Sequence, residues 1–227
     1  MKEREGFSLA ELMVAVFIFS FVAAALATIS STAHRHMFQN YRSNVIKTNV
    51  LVAMRDIQNN LSVATRIDVP VAGVQGDMLA FAVNVDQNSG CYPISAADTP
   101  AWHYFCIAVP VSANCPSGNC LYHHTTAFGG NSNPACSGMT APAAPFTTAS
   151  YPNFCGPGGG GTVTLLMERA MPLTTLFSRR TADGINEVDT VRIRLRSTWD
   201  ATARGFASTQ RDVDFGLDTV VKVNRSR

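Results

Sequence analysis

The chain has 227 residues, of which 46% are hydrophobic and only 15% charged, and its formal net charge is +2. So small a charge gives no bulk electrostatic attraction to nucleic acid or anionic lipid. The length suits one large or two small domains, and with a long N-terminal helix set aside about 160 residues remain, enough for one modest core.

The first six residues, MKEREG, form a charged leader in which Lys2 and Arg4 are balanced by Glu3 and Glu5 and which ends at Gly6. An apolar run follows from Phe7 to Ile29 and carries a single acid, Glu11. The run is too long for the core of an ordinary secretory signal and matches the ~20 residues that cross a bilayer. A carboxylate costs about 2.5–3.5 kcal/mol at mid-bilayer on insertion scales, and less near the interface, so Glu11 calls for a partner.

From Phe7 to Val69 there is neither Gly nor Pro. Such a run predicts a continuous helix, which at 1.5 Å per residue would extend about 90 Å. Its halves differ. Up to Ile29 it is apolar on all sides, as in a membrane span or a fully buried helix. From His34 it is amphipathic: Ile46, Val50, Met54, Ile57, Leu61 and Ala64 recur at spacings of three and four. Arg42, Lys47, Arg55, Asp56, Asn59, Asn60 and Arg66 lie largely off that stripe. Residues 30–69 are therefore predicted to pack their stripe on a globular domain, because the heptad run is too short for a separate coiled coil.

Pro70 and Gly73 end the helix. Leu79–Val85 and Trp102–Val109 read as strands, rich in aromatic and β-branched residues. Residues 112–161 are mostly Ser, Ala, Asn, Pro, Gly and Thr and are expected to form a long loop, uncommon in a compact domain unless functional or cross-linked. Strand character returns at Thr162–Ala170, weakly at Thr174–Arg180, then at Val188–Thr198 and Asp212–Val223. Val191, Ile193 and Leu195 alternate with Arg192, Arg194 and Arg196, the period of a half-buried antiparallel strand.

All six cysteines, Cys91, Cys106, Cys115, Cys120, Cys136 and Cys155, fall between residues 91 and 155. An even number in a turn-rich stretch points to disulfides and an oxidising compartment, with the pairing left open by sequence. The predicted fold class is α+β: one long helix, then β-structure.

Gly6, Phe7, Ser8, Leu9 and Glu11, followed by the apolar helix from Leu12 to Ile29, resemble the type IV pilin family, which includes pilins, minor pilins and the pseudopilins of type II secretion. The resemblance is specific over residues 6–30 and only generic beyond about residue 70. It implies a ladle-shaped protein with an antiparallel sheet packed on the second half of the helix. It implies a leader at 1–6 cut after Gly6 by a prepilin peptidase, which also N-methylates Phe7. Residues 7–29 would span the bacterial inner membrane and later the filament core, and residues 70–227 would be exported. Glu11 would pair with the Phe7 amine of a neighbouring subunit and set its register; a buried ammonium and carboxylate offset each other's desolvation. The partners implied are the peptidase, other pilin or pseudopilin subunits, and inner-membrane lipid before assembly.

A structural subunit, a minor pilin or minor pseudopilin that primes or caps a filament, is the function these residues favour. The first half of the helix lacks the Pro that kinks many major pilins, and Val50–Ile67 resembles the larger minor subunits. A tip module for adhesion or DNA uptake, carried by the loop at 112–161, is the alternative. A membrane-anchored enzyme or metalloprotein is a remote third. His123 and His124 lie near the C-x4-C pair Cys115 and Cys120, yet adjacent strand residues face opposite ways, so disulfides are favoured over zinc. No aromatic residues interleave the arginines for stacking on bases, so nucleic acid is an unexpected partner. The GPGGGG run at 156–161 lacks the Lys-Ser/Thr of a phosphate loop and reads as a hinge. No nucleophile or zinc-protease motif is present, and neither a cofactor nor a metal is expected.

Overall fold

In the computed structural model of the chain the described residues are 8–96, 99–108, 115, 119–127, 136, 155–156, 161–171, 173, 175–186, 188–199 and 212–223. Helix α1 runs over Leu9–Ser62, 54 residues, or about 81 Å at the standard rise. It is long and apolar enough near its start to cross a membrane, with a mean hydropathy of 2.6 in its most apolar window. Residues 8–41 are exposed throughout.

The second half is docked. All six residues of the predicted stripe, from Ile46 to Ala64, are buried. Arg42 departs from expectation: it lies one turn before Ile46, on the stripe rather than off it, and is buried. The helix also stops short of Val69. It ends at Ser62, and after Val63 the chain turns at once into β1, Ala64–Val69. The cause is legible in hindsight. Val63, Thr65, Ile67 and Val69 place a β-branched residue at every second position, and the residue before Pro70 is pushed out of the helical region.

The remaining strands are β2 (Gln75–Gly76), β3 (Leu79–Val83), β4 (Ala101–Ala108), β5 (Cys120–Ala127), β6 (Thr162–Met167), β7 (Phe177–Ser178), β8 (Thr190–Trp199) and β9 (Val213–Lys222). They form two antiparallel sheets rather than one, ordered β1-β3-β4-β5-β6 and β2-β7-β8-β9. Strand β5 lies inside the stretch expected to be loop. Its sequence, CLYHHTTA, is aromatic and β-branched, and the turn-rich composition around it hid that signal.

One core joins both sheets to the helix: Ile46, Val50, Ile57 and Leu61 meet Phe81, Phe105 and Leu121 of the larger sheet and Phe177, Ile193 and Leu195 of the smaller. Period-two alternation sorts the larger sheet into a near face on the helix and a far face. The far face holds Ala80, Tyr104 and Cys106, then Cys115, Cys120 and Tyr122. Gly161, expected to be part of a hinge, has a tighter duty. Its φ is +78°, and a Cβ there would fall 2.3 Å from the Thr125 carbonyl oxygen, so only glycine fits the entry to β6.

Candidate functional site

Three regions carry the chemistry singled out in the sequence. The first is the start of α1. Ser8 is the N-cap, and Glu11 stands at the third helical position. Glu11 Oε2 accepts from the Ser8 backbone N–H at 3.0 Å and from Ser8 Oγ at 2.9 Å, while the Glu11 N–H donates to Ser8 Oγ at 3.3 Å. This reciprocal box satisfies two of the donors every helix start leaves open. Both bonds to the carboxylate fall on Oε2. Around the acid the side chains are apolar and bare: Leu9 is 78% and Met13 67% exposed. Gly6 and Phe7, the expected processing residues, lie outside the described residues.

The second region is the seam between helix and sheets. Asp56 of α1 approaches His123 of β5, with Oδ2 and Nδ1 at 3.2 Å. His123 Nε2 in turn lies 2.9 Å from His103 Nδ1 on β4 and 3.3 Å from Thr125 Oγ1. Phe81 stacks on His103, and Phe105 stacks on His123 with ring centroids 4.2 Å apart. Burial pushes the His103 pKa down to about 4, helped by His123 and opposed by Asp56. Burial also pushes His123 down to about 4, with His124 adding to the shift. Both rings are therefore neutral at neutral pH, with His103 Nδ1–H donating to His123 Nε2, while His123 Nδ1 and the buried Asp56 Oδ2 are in close approach without the geometry of a hydrogen bond. Asp56 and His103 were not singled out in the sequence, because only folding brings them to His123. At the other end of the seam the Arg42 guanidinium faces the Trp199 ring from 5.6 Å and Arg169 from 3.8 Å.

The third region is the far face of the larger sheet. The structure pairs all six cysteines, as Cys91–Cys136, Cys106–Cys155 and Cys115–Cys120. Bonding within the C-x4-C pair removes both as thiolate ligands. His123 and His124 do face opposite ways. His123 joins the helix seam, whereas His124 accepts from the Gly156 N–H at 3.2 Å beside the Cys106–Cys155 bond. Residues 137–154 of the expected loop lie outside the described residues.

The arginine ladder of β8 is neutralised in place. Arg192 forks onto Asp218 at 2.7–3.2 Å, Arg194 reaches Asp183 at 3.1 Å, and Arg196 forks onto Asp214. Hydrogen bonds from Arg192 and Arg196 hold the carboxyls of Asp218 and Asp214 below the usual range. Arg192–Asp218 and Arg196–Asp214 run diagonally across β8 and β9, as cross-strand charges do, whereas Asp183 meets Arg194 from the short 3-10 turn at Thr181–Asp183. This strand is a laced surface, not a basic patch.

Comparison with known families places the prokaryotic N-terminal methylation motif on residues 1–27. That motif is the signature of type IV pilins, and the long apolar helix and antiparallel β-structure fit a pilin-like layout. Comparisons with curated proteins and with solved structures gave no match.

Proposed function

We propose that the chain is a minor pilin or minor pseudopilin, a structural subunit that primes or caps a type IV pilus-like filament. The observation that carries this reading is the methylation motif over residues 1–27, joined to a helix whose first half is bare and whose second half is fixed to a disulfide-bonded domain. In this reading residues 1–6 are a leader cut by a prepilin peptidase after Gly6. Phe7 becomes the N-methylated first residue, and residues 7–29 hold the subunit in the inner membrane with the β-domain exported. The helix then enters the filament core, where the Glu11 carboxylate takes the Phe7 amine of a neighbour. An all-round apolar helix suits lipid beforehand and a bundle of similar helices afterward. Peptide mass spectrometry of the chain from its native membranes tests this. A mature N-terminus at N-methylated Phe7 is expected; a chain still starting at Met1, or cut near residue 30, overturns it.

The tip-module reading draws on one feature. Cys155 is bonded to Cys106 on the sheet face that points away from the helix, across 49 residues of sequence, and Cys136 to Cys91 across 45. Deleting residues 137–154 separates the two readings: filaments lost support priming, whereas filaments kept but binding lost support recognition.

A further inference from the structure

Between Glu11 and Asp56 the chain carries no carboxylate at all. Its first basic residues after the leader come together, as His34, Arg35 and His36. The domain does not use them: residues 31–41 are all exposed, and helix burial begins only at Arg42. Among the described residues none of the three has an ion-pair partner. Met37, Phe38 and Tyr41 follow them, 57%, 52% and 63% exposed. Segment 34–41 is thus too polar for hydrocarbon and is not covered by the domain. A basic group followed by an exposed tyrosine, Tyr41, whose ring is amphipathic, suits a membrane–water interface.

Helix geometry puts the group at that level. With Glu11 at one edge of the hydrocarbon, a 30 Å core ends about 20 residues on, near residue 31. Arg35 lies about 36 Å from Glu11, in the headgroup layer of the opposite leaflet, and an ordinary ~20° tilt shortens this by only about 2 Å.

We propose that His34, Arg35 and His36 form a collar that binds the phosphate of anionic phospholipid in the leaflet facing the β-domain. The inference rests on the reading of residues 7–29 as a membrane span. Arg35 provides a charged, bidentate phosphate donor, and the two imidazoles, each about 100° away around the helix, offer ring N–H donors to neighbouring headgroups. With no acid along residues 12–55, the lipid phosphate is the nearest counter-charge while the subunit waits in the membrane. Leaving the bilayer then requires giving up that contact.

The test uses the full chain in nanodiscs of phosphatidylcholine containing some phosphatidylglycerol, with the lipids retained around the protein read by native mass spectrometry. Phosphatidylglycerol should be enriched over its bulk share and lose the enrichment in high salt. Arg35→Gln alone should cut the enrichment about fivefold, the factor one basic residue commands at an anionic surface. Adding His34→Gln and His36→Gln should lower it to the residual level that the other basic residues of the chain set. Lys2 and Arg4 are present in every variant and so do not contribute to the difference. Equal enrichment in the triple variant overturns the proposal, as does capture by the three residues of an acidic protein in place of lipid. A chain that inserts but shows no lipid preference sinks the collar alone. A chain that alkaline carbonate strips from the membrane sinks the span and the collar together.

Discussion

Asp56 Oδ2, on the helix, and His123 Nδ1, on the sheet, lie 3.2 Å apart. They join the helix that carries the apolar N-terminal run to the sheet that carries the far-face disulfides. Burial keeps both His123 and His103 neutral here. The folded pKa values of both rings, about 4, lie below the ~6.5 of an unfolded histidine. The unfolded chain therefore binds more protons between those values. Stability is full above about pH 6.5 and falls as the pH drops toward about 4. Asp56 acts in the opposite sense, since burial raises its pKa and protonation relieves that cost, but its single shift is outweighed by the two rings. Thermal unfolding of the detergent-solubilised chain should show the midpoint falling over that window. In His103→Phe, which removes one proton-binding ring while keeping the stack, the slope should be about halved.

Glu11 has two roles that one pair of variants can separate. Glutamine also completes a capping box, so Glu11→Gln keeps the helix start and removes only the charge. Ser8→Ala does the reverse, at a cost of about 1 kcal/mol at the cap. Both proteins should insert in the membrane. Filament incorporation, measured by immunoblot of sheared filaments, should collapse in Glu11→Gln and survive in Ser8→Ala.

Two arginines should differ sharply. Arg179 is buried and donates to the carbonyls of Pro70 at 2.9 Å, Val188 at 3.0 Å and Ile67 at 3.3 Å. It ties β1 to the turn before β8, and Arg179→Met strands those acceptors, at an expected total of about 3–5 kcal/mol. Arg196 and Asp214 are 46% and 40% exposed at their side chains. Arg196→Ala should cost less than about 1 kcal/mol despite the fork. Denaturant midpoints measured side by side check both.

The cross-links should rank by the loops they close. Cys106–Cys155 spans 49 residues and Cys115–Cys120 only 5. Chain entropy alone makes the longer loop worth about 2 kcal/mol more. Denaturation of the two double-alanine variants should show the larger loss for Cys106→Ala with Cys155→Ala.

Much of this was legible in the residues. The motif from Gly6 to Glu11 and the apolar run after it need only chain order, and β8 announces itself because arginine and aliphatic side chains alternate without a break. The helix end was hidden, since absence of Gly and Pro permits a helix without requiring one, and the β-branched alternation from Val63 to Val69 decided otherwise. Strand β5 was hidden by its neighbours' composition. Arg42 looked like a solvated cation until Trp199, far away in sequence, gave its guanidinium a ring to cover. The disulfide pairing and the Asp56–His123–His103 chain depend on tertiary contacts that no local pattern encodes.

Between α1 and β1 there is one residue, Val63. The consequence is mechanical. A pull on the apolar half is delivered to the domain through the packed face from Arg42 to Leu61 and through the covalent step into β1, with no slack loop between. The rod and the domain therefore turn together. Whatever rise and rotation a filament imposes on the helix also sets the azimuth at which the cross-linked face meets the outside.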